Sequence, residues 1–394
     1  MPGNYLAVGY NNQARVEVWE RTQPTEPWQR KRNFLQSSGQ STQFFLNGAA
    51  STYKTHVSLS DDGNFLAVAA GFFTSDDGVP NFAPGKVIVF QWFGPPSNVY
   101  RQIFTLSVAS SRDISVALSG DGKQLAIGPS AGGVHVYKAT TGGSFEIEGT
   151  GGLPPALPSP FTQTYSLGII GINDHAQLVI GATGNETSGD KGYVRVYTKL
   201  HGNHQWQKLG DDLDKENDKV YNSISVAISS LYDIAGYGVS FKDATSGRIT
   251  TQHRAFTFDN IQWNQYGQDL SGYGPNDKTE TSISFNTDGT IFAICEGGSE
   301  VIAINKYIAG GWKTVANVSA YYEDESTTNN NRQSTYSVGT TISLNDFGNT
   351  VGIGSPYFNQ TEPGFVRIAE KNATAPNRPI TPPPSVGVGG GKKY

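Results

Sequence analysis

A β-propeller of seven four-stranded antiparallel blades is predicted by three observations. One phrase returns seven times along the 394 residues at steps of about 53 to 60 residues. Each copy breaks into apolar-alternating runs of strand length, and Gly or Asp-Gly punctuates the breaks. No stretch sustains a 3.6-residue period, so helix is not expected. A unit of about 57 residues that holds four strands is the size of a propeller blade with its loops, far longer than a β-helix coil.

The first half of the phrase is clearest in His56-Val-Ser-Leu-Ser-Asp-Asp-Gly-Asn-Phe-Leu-Ala-Val68. It recurs from Ile114 to Ile127, from Ile283 to Ile294 and from Ile342 to Ile353. Two copies are degenerate: Leu167 to Ile180 has Asp174-His-Ala at its turn, and Ile224 to Ala235 has lost the turn glycine. In the regular copies Gly63, Gly122, Gly289 and Gly348 are expected to supply the positive φ of a tight hairpin. Asp61, Asp62, Asp121 and Asp288 read first as turn-formers that bond their own backbone, and only second as metal ligands. The second half of the phrase reads Gly133-Val-His-Val-Tyr137, Gly192-Tyr-Val-Arg-Val-Tyr197 and Gly364-Phe-Val-Arg-Ile368. Trp206, Trp263 and Trp312 each open a fourth strand.

The first unit begins at its second strand and the last ends after its third. Either the tail or residues 36–54 is expected to fill one of these gaps; otherwise the ring closes by packing alone. Residues 1–371 are assigned to the propeller and residues 372–394 to an extended Pro/Gly-rich tail. Within the tail, Pro379, Pro382, Pro383, Pro384, Lys392, Lys393 and Tyr394 are candidate docking residues, expected to leave the propeller and reach a neighbour.

The Ser-Leu-Ser-x-Asp-Gly-x-x-Leu-Ala-Val and Gly-x-Val-x-Val-Tyr phrases resemble the repeats of WD-type and FG-GAP-like propellers. They are similar to repeats found in protists, algae, bacteria and large DNA viruses. The resemblance covers about residues 5 to 370 and implies the fold. The calcium loop common in FG-GAP blades is not intact here, so no cofactor or metal is expected.

Composition narrows the function classes. A net charge of -5 and a longest basic run of only Arg30-Lys31-Arg32 argue against nucleic acid. No apolar run reaches the roughly 18 residues of a membrane span, so membrane insertion is not expected. The N-terminal residues lack a basic segment before an apolar one, and no signal peptide is read there. Intracellular synthesis, with incorporation into a particle, is the expectation for location. Cys295, the single cysteine, lies in an apolar run and reads as a buried inert thiol.

Catalytic constellations were sought in three places. The six histidines show no zinc-protease spacing, and His201 and His204 read as solvated turn residues. Gly128-Pro-Ser130-Ala-Gly132 has the letters of a nucleophile elbow but joins two strands, where that motif needs a strand-to-helix turn. The inner strands carry Ser, Thr, Val, Ile and Leu but no Asp, Glu or Arg, so they offer no carboxylate pair for glycoside chemistry. The resulting expectation is a non-catalytic interaction or assembly module, such as a virion or cell-surface component, with other proteins as partners. A carbohydrate-binding lectin is the second reading and a propeller glycoside hydrolase the third. The candidate binding residues are loop aromatics and acids: Phe72, Phe73, Asp76, Asp77, Tyr321, Tyr322 and Asp324. The acidic stretch Asp211 to Asp218 reads as solvated loop, and as the first place to look for a missed calcium site.

Overall fold

The computed structural model describes residues 5–10, 15–23, 26–31, 34–35, 51–74, 81–108, 114–129, 133–147, 169–185, 190–199, 206–214, 220–242, 249–271, 281–296, 301–319, 341–359 and 362–371. These residues form seven sheets, antiparallel except for one short added edge strand, and no helix, so no helix among them is long and apolar enough to cross a membrane. The all-β seven-bladed propeller expected from the repeat is the fold observed.

Blade 1 has three strands, Tyr5–Tyr10, Arg15–Glu20 and Gln29–Lys31. Blade 2 runs Ser51–Leu59, Phe65–Thr74, Asn81–Phe93 and Val99–Val108, with Phe34–Leu35 added in parallel on its outer edge. Residues 51–54, considered as filler for a closing gap, therefore belong to the inner strand of blade 2. Blade 3 is Ile114–Leu118, Gln124–Pro129, His135–Ala139 and Phe145–Ile147. Blade 4 is Ile169–Ile172, Gln177–Asn185, Asp190–Lys199 and Trp206–Lys208. Blade 5 is Tyr221–Ile228, Ile234–Lys242, Ile249–Phe258 and Trp263–Gln265, its outer edge resumed by Leu270–Ser271. Blade 6 is Thr281–Phe285, Ile291–Glu296, Val301–Ile308 and Gly311–Ser319. Blade 7 has three strands, Thr341–Leu344, Thr350–Asn359 and Glu362–Glu370.

The period-2 pattern becomes core because each sheet is covered on both faces by its neighbours. Leu66, Val68, Ile88 and Phe90 of blade 2 pack with Val16 and Val18 of blade 1. Ala67, Ala69, Val87 and Val89, on the opposite face of blade 2, pack with Ile114, Leu125 and Ile127 of blade 3. Cys295 is fully buried in the blade 6 to blade 7 cluster, as its apolar run implied.

Two polar devices tie blade to blade. Inner-strand serines accept a hydrogen bond from the next blade's inner strand: Ser58 Oγ from the Leu118 N–H (2.9 Å), Ser225 Oγ from Ile283 (3.1 Å), Ser282 Oγ from Ile342 (3.1 Å) and Ser284 Oγ from Leu344 (3.0 Å). An innermost strand has an unpaired ladder edge, and these hydroxyls satisfy it. On the outside, the Trp263 indole N–H donates to the Leu209 carbonyl (2.7 Å), and that of Trp312 donates to Tyr266 (2.6 Å). Each indole lies against the glycine that follows that carbonyl: a Cβ on Gly267, whose φ is +83°, would come within 2.5 Å of Trp312 Cδ1.

Candidate functional site

The hairpin turns between first and second strands converge at one mouth of the central channel. Gly63, Gly122, Gly289 and Gly348 adopt φ of 66 to 68° there, as the Asp-Gly turns predicted. In the degenerate blade 4 copy Ala176 holds the same left-handed position at φ 57°. The turn tips touch one another. The Asp61 N–H donates to the Gly120 carbonyl (2.8 Å), Asp121 N–H to Asp174 Oδ1 (2.9 Å), Leu231 N–H to Thr287 O (3.1 Å) and Thr287 N–H to Asp346 O (3.2 Å). This belt fixes the rim.

The rim carboxylates fall into two sets. Asp62, Asp121 and Asp288 stand at the second turn position and accept bonds from their own turns. Asp62 Oδ1, for example, takes the Asn64 N–H at 2.9 Å and the Ser60 hydroxyl at 2.7 Å. Burial would raise Asp121 and Asp288, but donors from Lys123 and Ser119, and from Thr290 and Asn286, hold them below the usual carboxylate range. For these three the turn-forming reading stands.

Asp61, Asp174 and Asp346 occupy the first turn position of blades 2, 4 and 7, and the other two act on Asp61 through their charge. The Asp61 carboxyl rests on Gly120, where a Cβ would meet Oδ2 at 2.4 Å. Protein replaces part of its hydration shell even though the residue as a whole is exposed. Its pKa is pushed up to about 6, first by that burial and then by Asp346, Asp174, Asp62 and Asp121. Asp346 is raised as well, by burial first, with Asp174 adding to it and a Thr287 hydrogen bond opposing it. Reading Asp61 as a turn-former is thus corrected: Asp62 does that work, and Asp61 is left to its neighbours' fields. The doubled Asp61-Asp62, with acids also at 174 and 346, was the sequence signal for this set.

A raised carboxyl costs stability once it ionises. Between pH 3.8 and about 6 the folded state binds more protons than the unfolded one, so stability falls as pH rises through that window. Asp61→Asn should therefore stabilise the protein above pH 6, by under about 1 kcal/mol because water screens the exposed side chain. The gain should vanish below pH 4. Urea midpoints at pH 3.5 and 7.5 check this; equal effects at both would remove the raised pKa.

Elsewhere the acids are structural. Asp212 pairs with Arg195 (3.0 Å), and its buried neighbour Asp214 accepts the Val194 N–H (3.1 Å). The expectation of a merely solvated loop at 211–218 is corrected for these two residues; residues 215–218 lie outside the described ones. Arg254 forks onto Asp269 with both bonds at 2.8 Å. Arg195 and Arg254 sit at the same register of the third strand, opposite Ile180 and Tyr237. Among the described residues no group of three or more His, Cys, Asp or Glu is placed to hold a metal. A chelator should leave the thermal midpoint unchanged, and a fall of several degrees would reveal a site.

Of the loop residues expected to bind, Phe72 and Phe73 belong to the second strand of blade 2. Asp76, Asp77, Tyr321, Tyr322 and Asp324 lie outside the described residues. So do Ser130, His201, His204 and the tail residues Pro379, Pro382, Pro383, Pro384, Lys392, Lys393 and Tyr394.

No protein-family model matches the sequence, and no curated protein sequence matches it. Solved structures do match, and they share the fold. The periplasmic gluconolactonase of Pseudomonas aeruginosa superposes with a TM-score of 0.57 at 13% identity, over 94% of this chain and 92% of its own. A Bacteroides fragilis protein provisionally assigned as a 6-phosphogluconolactonase gives 0.53 at 14% identity, over 96% and 93%. The β-propeller domain of Cps50 (Swd1) from Myceliophteria thermophila gives 0.52 at 12%, over 94% and 99%. These identities speak to fold.

The comparisons nonetheless correct one step of the sequence argument. A complete propeller whose inner strands lack charged residues was taken as non-catalytic, yet propellers of this size and shape include a lactonase. The physical reason is that inner strands are not the only source of rim chemistry. Here the carboxylates stand on the hairpin tips between first and second strands. The assembly, lectin and glycosidase expectations do not stand.

Proposed function

We propose that this propeller is a hydrolase that opens a neutral sugar lactone at the hairpin-tip mouth. The observation that carries the reading is Asp61, a water-accessible carboxyl whose pKa of about 6 lies near a working pH. The names of the lactonase neighbours support the same class.

Ionised Asp61 accepts a proton from a water molecule as that water attacks the lactone carbonyl. The ring C–O bond then breaks, and the proton passes to the departing ring oxygen, leaving a hydroxy acid. Asp346 and Asp174 hold Asp61 basic by their own charge. The same charges repel anions, so a neutral lactone suits the rim better than a phosphorylated one, and the carboxylate product is pushed out. Leu231 and Tyr232 on the blade 5 tip and Phe347 on the blade 7 tip are exposed and offer apolar surface to a sugar ring. The repeat is assigned to the WD-type and FG-GAP-like class on its Asp-Gly hairpins and Gly-x-Val-x-Val-Tyr strands.

The test is acid release from glucono-lactone above the spontaneous rate, with Asp61→Asn beside the wild type. Removing a general base should cost about 100-fold or more, and the wild-type rate should rise with pH through an apparent pKa near 6. A wild-type protein no faster than buffer sinks the proposal, as does an Asp61→Asn variant of full activity.

A further inference from the structure

Water attack on a lactone carbonyl builds negative charge on the carbonyl oxygen, and a rim of carboxylates opposes that charge. The hairpins between first and second strands of blades 2 to 7 each carry at least one aspartate. A cation beside Asp61 is what such an attack demands. Among the described residues, these same hairpins carry one lysine and no arginine. The lysine is Lys123, on the blade 3 tip.

Lys123 shares its turn with the seat of Asp61. In Ser119-Gly120-Asp121-Gly122-Lys123, the Asp61 carboxyl lies over Gly120: a Cβ there would stand 2.4 Å from Oδ2, 2.8 Å from Cγ and 2.9 Å from Oδ1. Blades 4, 6 and 7 place Asp174, Thr287 and Asp346 at this turn position. A side chain of that kind on blade 3 would displace Asp61. The backbone joins the two tips at the same point, since the Asp61 N–H donates to the Gly120 carbonyl at 2.8 Å.

Asp121 clamps Lys123 in place. Its Oδ1 accepts the Lys123 N–H at 2.9 Å and the Ser119 hydroxyl at 2.7 Å, and its Oδ2 pairs with Lys123 Nζ at 2.9 Å. The Lys123 carbonyl accepts the Ala139 N–H at 2.8 Å, which ties the residue to the third strand of its blade. The side chain is 74% exposed, so a substrate can reach it. An ammonium has three donors, and the bond to Asp121 occupies one. That bond, with the charges of Asp121 and Asp174, holds Lys123 above the usual lysine range, so it is protonated at any working pH. Asp121 and Asp174 are also two of the carboxylates that act on Asp61, so base and cation share their neighbours. An ion pair this exposed contributes little stability; what it provides is a cation at a fixed place.

On the lactonase reading of this site, on which the step rests, we infer that Lys123 is a second catalytic residue, the cation that receives the oxyanion. Asp61 takes a proton from water, and the water oxygen forms its bond to the carbonyl carbon. The carbonyl π pair moves onto oxygen, where Lys123 donates a hydrogen bond to it. The C=O bond then re-forms and the ring C–O bond breaks. The ring oxygen leaves with that electron pair and takes the proton held by Asp61. The new carboxylic acid loses its proton to water, and Lys123 ends with the protons it began with. A neutral lactone gains little from the ammonium before attack, so the benefit falls on kcat and not on KM.

The test compares Lys123→Gln and Lys123→Arg with the wild type on glucono-lactone, following kcat and KM through the Asp61 titration. Lys123→Gln should lower the plateau kcat about tenfold or more with KM nearly unchanged, and Lys123→Arg should recover most of it. The thermal midpoint should stay where it is in both variants. Added salt should slow the wild type and leave Lys123→Gln unaffected. An active wild type beside a Lys123→Gln variant of equal plateau rate overturns the inference and leaves the lactonase reading standing. An unchanged plateau with a displaced apparent pKa also overturns it, since Lys123 would then only tune Asp61. So does a slower Lys123→Gln variant with a lowered midpoint that arginine does not restore. A wild type no faster than buffer removes the lactonase reading and the role of Lys123 with it.

Discussion

Val68→Asp should cost about 4 kcal/mol or more and leave the protein close to unfolding in dilute urea. Val68 is 0% exposed, paired with Val57 on one side and Ile88 on the other. Its side chain faces the blade 1 to blade 2 interface with Val16, Val18, Leu66 and Phe90. No charged residue belongs to that cluster, and the hydroxyl of its Tyr100 is already donated to the Gly63 carbonyl. A carboxylate there is desolvated and unpaired, and it relieves the penalty only by taking up a proton. The loss should therefore be smaller at pH 4 than at pH 8. Urea unfolding at both values measures it, and a shift of a few tenths of a kcal/mol would remove the blade assignment at this strand.

Trp312→Ala should lose about 3–5 kcal/mol. The indole is 3% exposed and is enclosed by rings from two blades. Its ring centroid lies 5.4 Å from Tyr266 and from Tyr307, and 5.5 Å from Phe292. Truncation opens a cavity and also leaves the Tyr266 carbonyl without the indole N–H it accepts at 2.6 Å. Ile261→Ala is the matched control: Ile261 is 82% exposed, and its loss should stay within about 0.5 kcal/mol. If the two variants unfold at the same urea concentration, the tryptophan does not join the blades.

The blades themselves were legible because their causes are local. Gly63 and its three counterparts follow Asp or Phe in tight turns that need positive φ, and a hairpin's register follows from its turn. Leu125-Ala-Ile127 and Val134-His-Val136 alternate because one sheet has two faces, and that pattern is written in each short run. The three-stranded first and last blades could be counted from the repeat alone, and among the described residues both have three strands.

The candidate site was not legible in the same way. Asp61 and Asp62 are adjacent and chemically identical, yet one is spent on its own turn and the other meets carboxylates from blades 4 and 7. Likewise Ser58 and Ser284 looked like plain inner-strand residues until each was seen to hold the N–H of a residue 60 positions away. The sequence by itself determined the strand order, the turns and the number of blades, since each depends on neighbours a few residues apart. Only the tertiary structure decided which tips touch one another and which carboxyl is raised. Those outcomes depend on distances between blades that the ring closure sets, and electrostatic and packing energies act through such distances irrespective of separation along the chain.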